Sequence, residues 1–270
     1  ARAIVSIGPH WPPDLEAYDY VRPLSKYDWG WEYLRRCPAY YADFLQHGAL
    51  LPPIERWRPN IAVYRLTQAV PRAAVWGLST FADPQCVAAN ADVFWSPTIT
   101  SRALTAVLTP SRDASQADFD LRRFSGHVAL LIDADGRQQV VVRSSSQVLL
   151  LTLTGACALD ADLRITFLNH GLDGSARASQ AFKALAACIS SLASRRLPAW
   201  TPRSISMRSA LIAIDGDAAG ATYREIARVI FGAAHTDAVW RKNPSLKDSV
   251  RHALQRGRAM MAGGYRRLIA

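Results

Sequence analysis

Apolar residues recur at helical spacing near both ends of the chain and run unbroken or alternate through its middle, which predicts helices, then strands, then helices. Ser25-Lys26-Tyr27-Asp28 reads as a helix start: a serine side chain accepts from the amide three residues on, and an acid suits the positive end of the helix dipole. This helix is expected to reach Arg36. Pro38 fits the first turn of a second helix, with His47-Gly48 as its stop. In this hairpin Trp31, Leu34, Tyr40 and Tyr41 face a core, while Arg35-Arg36 project outward. Ile61 to Leu66 and Ala73 to Leu78, bounded by Pro59, Pro71 and Asp83-Pro84, read as strands or linkers.

Phe124 to Phe167 is the β-rich part. Val128 to Ile132, then Asp133-Ala134-Asp135-Gly136, then Gln139 to Val142 is a hairpin pattern, since the turn needs residues that tolerate positive φ. The Asp-x-Asp-Gly tetrad lacks the later oxygen ligands of a calcium loop; Ser144 stands where the terminal Glu would fall. Further strands are expected over Val148 to Leu153 and Leu163 to Phe167, and a long amphipathic helix over Ala176 to Arg195, with Phe182, Leu185, Ala186, Ile189 and Leu192 on one face. Leu197 to Arg203, with two prolines, reads as a linker.

The C-terminal stretch has the order of a helix-turn-helix module. A first helix is expected from Ser204 to Ile214, broken by Asp215-Gly216-Asp217 and Ala219-Gly220. Thr222-Tyr223-Arg224-Glu225 is a capping box opening a second helix with Ile226, Ala227, Ile230 and Phe231 buried and Gly232 as its stop. A third starts at Ser245, with Asp248 repeating the capping logic, and buries Leu246, Val250, Ala253, Leu254, Gly257 and Met261. The fold expected is α+β: a helical N-terminal hairpin, a small antiparallel β-rich middle with a long helix, and an all-α C-terminal helix-turn-helix resembling sigma region 4. The domains fall at 1–75, 76–200 and 201–270.

Composition adds one decisive fact. The 270 residues are 50% apolar and 20% charged, ordinary for a folded protein, and the net charge is +10. Residues 195–270 hold 14 Lys and Arg against five acids, whereas residues 1–194 hold 18 against 17. A near-neutral body with one basic end points to a polyanion at that end. No apolar run approaches the roughly 20 residues of a membrane span. The N-terminal residues show no secretion signal, and Cys37, Cys86, Cys157 and Cys188 form no C-x-x-C pair. The expectation is a cytoplasmic, nucleoid-associated protein without metal or cofactor.

The third helix carries the chemistry that DNA requires. Lys247, Arg251 and Arg258 form a stripe beside its core face, and Asp248, His252 and Gln255 point away from it. Lys and Arg neutralise phosphates or donate to guanine O6 and N7, and Gln bonds adenine with both ends of its amide. Trp240 folds the Gly232 to Pro244 connection onto the core, with Arg241 and Lys242 near a phosphate strand. Arg224, Ser245, Arg256, Arg266 and Arg267 complete the expected DNA-binding set.

Ala219-Gly220-Ala221-Thr222-Tyr223-Arg224-Glu225-Ile226-Ala227, Phe231-Gly232, Ser245-Leu246-Lys247-Asp248-Ser249-Val250-Arg251 and Ala262-Gly263-Gly264-Tyr265-Arg266-Arg267-Leu268 resemble a proteobacterial transcription-factor DNA-binding domain. The Arg-Glu-Ile-Ala helix is also similar to the promoter-reading region of sigma factors and LuxR-type regulators. Tyr27-Asp28-Trp29-Gly30-Trp31-Glu32-Tyr33-Leu34-Arg35-Arg36-Cys37-Pro38-Ala39-Tyr40 resembles a transcriptional-regulator-like domain found upstream of the first, with Cys37 replacing an expected polar residue. Together they resemble activators of excision and transfer of integrative and conjugative elements. The resemblance implies a promoter-binding activator, in some relatives restrained by a small antiactivator protein.

The leading expectation is thus a sequence-specific activator of double-stranded promoter DNA. The alternative is a protein-binding regulator whose basic helix docks RNA polymerase or an antiactivator, with Trp29, Trp31, Arg35, Arg36, Tyr40 and Tyr41 as the N-terminal partner surface. An enzyme is not expected: there is no Gly-x-Ser-x-Gly elbow or Gly-rich phosphate loop with Lys, and His170, Asp173 and Ser175 share one loop instead of meeting from separate elements.

Overall fold

The computed structural model describes residues 7–48, 52–100, 104–143, 148–168, 183, 186 and 197–270. Its strands are β1 (Ile54–Arg58), β2 (Ile61–Arg65), β3 (Leu104–Pro110), β4 (His127–Ile132), β5 (Gln138–Arg143), β6 (Val148–Gly155) and β7 (Leu163–Phe167). Its helices are α1 (Lys26–Leu34), α2 (Pro38–His47), α3 (Pro71–Ala74), α4 (Pro202–Ala218), α5 (Tyr223–Phe231), α6 (Ala233–Val239), α7 (Pro244–Ala259) and α8 (Arg266–Ile269). The class is α+β, as expected. All but two residues of the long helix expected over Ala176 to Arg195 lie outside the described residues, as do His170, Asp173 and Ser175; Lys183 and Ala186 are helical.

Two compact units are built from interleaved pieces of chain. Ala1–Gln46, Asp83–Ala91 and Arg196–Ile269 form a helical unit, and His47–Ala82, Asp92–Arg195 and Ala270 form the other. The three consecutive segments 1–75, 76–200 and 201–270 are thereby redrawn. The N-terminal hairpin and the C-terminal helices share one interior.

In the second unit the seven strands make one mixed sheet, ordered β1-β2-β4-β5-β6-β3-β7. The β4–β5–β6 meander is antiparallel, as its pattern suggested, with Gly136 at φ +75° in the first turn and Asp133 Oδ1 accepting from the amides of Asp135 and Arg137. The small antiparallel sheet expected is larger and not purely antiparallel. β2 joins β4 in parallel, and β3 joins β6 in parallel. Of the two stretches read as strand or linker, Ile61 to Leu66 supplies β2, whereas Ala73 to Leu78 is not a strand: α3 ends at Ala74, and Leu78 makes one isolated bridge to Trp95. Strands buried on both faces lose alternation, which is why Val128 to Leu131 is an apolar run: Val128 and Leu130 enter one core, Ala129 and Leu131 the other.

The helical unit turns on a buried ionic network. Ser25 caps α1 with the expected box, accepting from the Asp28 amide. Arg35 and Arg36 do not project outward: they are 1% and 7% exposed. Arg36 donates from Nε and Nη2 to the two carboxylate oxygens of Asp215 at 2.8 and 3.0 Å, and from Nη1 to Glu32. Arg35 Nε donates to Glu32 Oε2 at 2.8 Å and its Nη1 to the carbonyls of Ile7 and Pro84. Tyr18 donates to Asp215, Tyr20 to Glu32, and the Ala88 amide to the second Glu32 oxygen. Two positive and two negative charges are thus enclosed with their polar atoms satisfied, the condition under which buried ions are tolerated.

Asp215 also corrects the expected helix break. Asp-Gly-Asp reads as a breaker only if its acids want water, but Asp215 faces Arg36, and Gly216 gives room where a Cβ would fall 2.6 Å from Trp11 and 2.7 Å from Ile226. α4 therefore continues to Ala218, and Gly220 at φ +77° follows its end.

Removing one partner strands a buried charge, so Arg36→Met is expected to cost about 3–5 kcal/mol in chemical denaturation, with Asp215→Asn in the same chain returning part of the loss. Burial alone would raise the Glu32 carboxyl, but Arg36 and Arg35 outweigh it and hold it below the usual carboxylate range. An unfolded Glu titrates near about 4.3, so the stabilisation from Glu32 is complete above that pH and lost as pH falls through the lower folded value. Unfolding midpoints measured across this range should fall less steeply with acid in Glu32→Gln than in the parent chain.

Candidate nucleic-acid interface

The basic C-terminal helices hang on α4, which Thr201 caps by accepting from the Ser204 amide. Thr222 opens α5 with the expected box: its Oγ1 accepts from the Glu225 amide, and the Glu225 carboxylate accepts from the Thr222 amide at 2.7 Å. Hydrogen bonds donated to it by the Thr222 amide and hydroxyl hold the Glu225 carboxyl below its ordinary range. Gly232, at φ +88°, ends the helix. The buried residues of α5 are Ile226, Ala227 and Val229; Phe231 is 37% exposed and Ile230 half-buried, contrary to the face expected.

The connection from Gly232 to Pro244 is mostly helical. α6 occupies it, tied down by buried Thr236, whose Oγ1 donates to the Ala227 carbonyl at 3.2 Å. α7 then begins one residue earlier than expected, and its cap is Asn243, which accepts from the Ser245 amide at 3.0 Å. Asp248 plays no capping part. Its carboxylate lies 2.9 Å from Arg251 Nη2.

α7 buries Leu246, Val250, Ala253, Leu254 and Gly257, with Met261 beyond its end half-buried. Gly257 sets a close crossing with α4: a Cβ there would fall 2.4 Å from Ile214 Cγ2 and 2.8 Å from the Ala210 carbonyl oxygen. At 100° per residue, Lys247, Arg251 and Arg258 lie together on one flank of α7, Asp248, Gln255 and His252 on the face opposite the core, and Ser245 and Arg256 on the other flank. All of these polar residues are exposed except the half-buried Asp248. Arg241 and Lys242 are exposed in the turn between α6 and α7.

The expected DNA-binding residues therefore do not form one cluster. Arg256 lies on the flank whose charge is felt at Tyr33 of α1, where burial pushes the hydroxyl up and Arg36 and Arg256 oppose it. Arg266 and Arg267 are exposed on α8, which packs on α1, with Lys26 Nζ donating to the Ile269 carbonyl at 3.3 Å. Arg224 pairs with Asp237 at 2.8 Å, and so, at 3.6 Å, does Arg228, which the sequence reading missed although it sits one turn beyond Arg224. Arg258 Nη2 spans both oxygens of Asp217 at 3.0 and 2.8 Å. Arg241, Lys242, Lys247, Arg256 and Arg267 make no ion pair among the described residues.

The expected partner surface fares differently. Trp29, Trp31, Arg35, Arg36 and Tyr40 are buried, Trp31 donating from Nε1 to the Cys86 carbonyl and stacking edge-on against Tyr40; Tyr41 alone of the six is half-exposed. Aromatics at helical spacing filled a core, the ordinary use of such a stripe.

Short capped helices, with exposed cations on one flank of α7 and in the turn before it, have the charge distribution expected of a nucleic-acid-binding module. Residues 158–270 match the family model RovC_DNA-bd, described as a T6SS transcription factor DNA-binding domain. The match supports a DNA-binding regulator, and the matched family is not an enzyme family. It begins upstream of the boundary expected at residue 201. No curated protein matches the chain. Among the described residues, no helix is long and apolar enough to cross a membrane.

Gly257→Ala forces the α4–α7 crossing apart and is expected to cost about 1–3 kcal/mol, the usual range for overpacking, read as a lowered unfolding midpoint.

Proposed function

We propose that the protein is a sequence-specific transcriptional activator that acts in the cytoplasm on nucleoid DNA and reads duplex promoter sequence with α7. The observation that supports this most is the confinement of nearly all net charge to residues 195–270, within the segment matched as a DNA-binding domain. Lys247, Arg241 and Lys242 suit phosphates, and Arg251 and Gln255 suit guanine and adenine edges in the major groove. The module is read as a helix-turn-helix in which α5 and α6 support α7.

The resemblance to activators of integrative and conjugative elements makes their excision and transfer genes the first candidate targets. The description of the matched family favours T6SS genes as the second. For an activator, RNA polymerase is the natural protein partner and a small antiactivator the natural restraint. With most of the aromatic hairpin buried, its exposed apolar docking residue is Leu45, 65% exposed on α2, beside half-exposed Tyr41.

Selection of the full chain against random duplexes at about 150 mM salt, where non-specific contacts weaken, is expected to enrich one motif, found again in promoters of one target class. Uniform, salt-sensitive retention would overturn sequence reading and favour a basic face that docks a protein.

A further inference from the structure

Every acid of residues 195–270 is engaged. Asp215 holds Arg36 inside the fold, and Glu225 caps α5. Asp217 holds Arg258, Asp237 holds Arg224 and Arg228, and Asp248 holds Arg251. On the α7 flank this divides neighbours: Lys247 makes no ion pair among the described residues, while Arg251, one turn on, is held at 2.9 Å and still 59% exposed.

We propose that Asp248 is a positioning residue for sequence specificity, aiming Arg251 at a guanine, while Lys247 serves phosphate; this rests on the DNA-reading assignment above. A guanidinium offers five N–H donors, so an Nη2 contact with Asp248 leaves donors for guanine O6 and N7. Holding the fork in advance reduces the side-chain freedom lost on binding. The carboxylate also opposes phosphate, which makes the backbone the poorer partner for Arg251 and the base edge the better one. A lysine ammonium is a flexible point charge with no such geometry to fix.

The test is duplex selection and salt titration with the full chain, its D248N, R251A and K247A variants in parallel. The wild-type motif is expected to contain a guanine that R251A no longer selects. D248N, which removes the charge and keeps the shape, is expected to lose about tenfold discrimination at that position while its affinity for random duplex rises. K247A is expected to keep the motif and reduce the salt slope by about 0.9. An enriched motif whose guanine preference is unchanged in D248N, at whatever affinity, overturns the role of Asp248 alone. A wild-type chain that enriches no motif overturns the DNA-reading assignment and this inference with it.

Discussion

The helical unit depends on one contact between residues 179 positions apart, the paired hydrogen bonds from the Arg36 guanidinium to the Asp215 carboxylate. A guanidinium presents donors in a planar fork that matches a carboxylate, and here water is excluded from both. Glu32, Arg35, Tyr18 and Tyr20 close the remaining polar positions. Through Asp215 the network fixes α4; through Gly257 and the α4–α7 crossing it fixes the helix that carries Lys247 and Arg251. The N-terminal hairpin is therefore part of the support on which the basic helices stand.

Legibility in the sequence followed the range of the interactions. Capping boxes at Ser25 and Thr222, the glycine stop at Gly232 and the Asp133 to Gly136 turn depend on neighbours three or four residues away, and the local sequence specified them. The burial of Arg35 and Arg36 depends on Asp215 and on the Ile7 and Pro84 carbonyls, which no local pattern reveals. The same distance hid the Asp215 helix, since an Asp-Gly-Asp triplet carries a breaker's composition and only a remote arginine makes it helical. β2 was read as strand or linker and β3 escaped assignment, because parallel pairing with β4 and β6 is set by tertiary position.

The candidate interface was half legible. Helical periodicity put Leu246, Val250, Ala253, Leu254 and Gly257 inward, and the exposed stripe followed by subtraction. Which cations are already spoken for was not legible, because Asp217 and Asp237 reach their arginines from other helices. Formal charge thus overstates what the surface can offer a polyanion: Arg224, Arg228, Arg251 and Arg258 must exchange or share a carboxylate before they meet anything else.

The interleaving of the two units sets an order of events during synthesis. A nascent chain makes α1 and α2 first, the seven strands next and α4 only after them. Until α4 emerges, the Arg35 and Arg36 charges have Glu32 beside them and no Asp215, so the hairpin lacks its second anion. The basic helices, made after α4, thus join a network that closes only once Asp215 has emerged. A chain cut short anywhere upstream of α4 carries neither the second anion for Arg36 nor the exposed cations of α7.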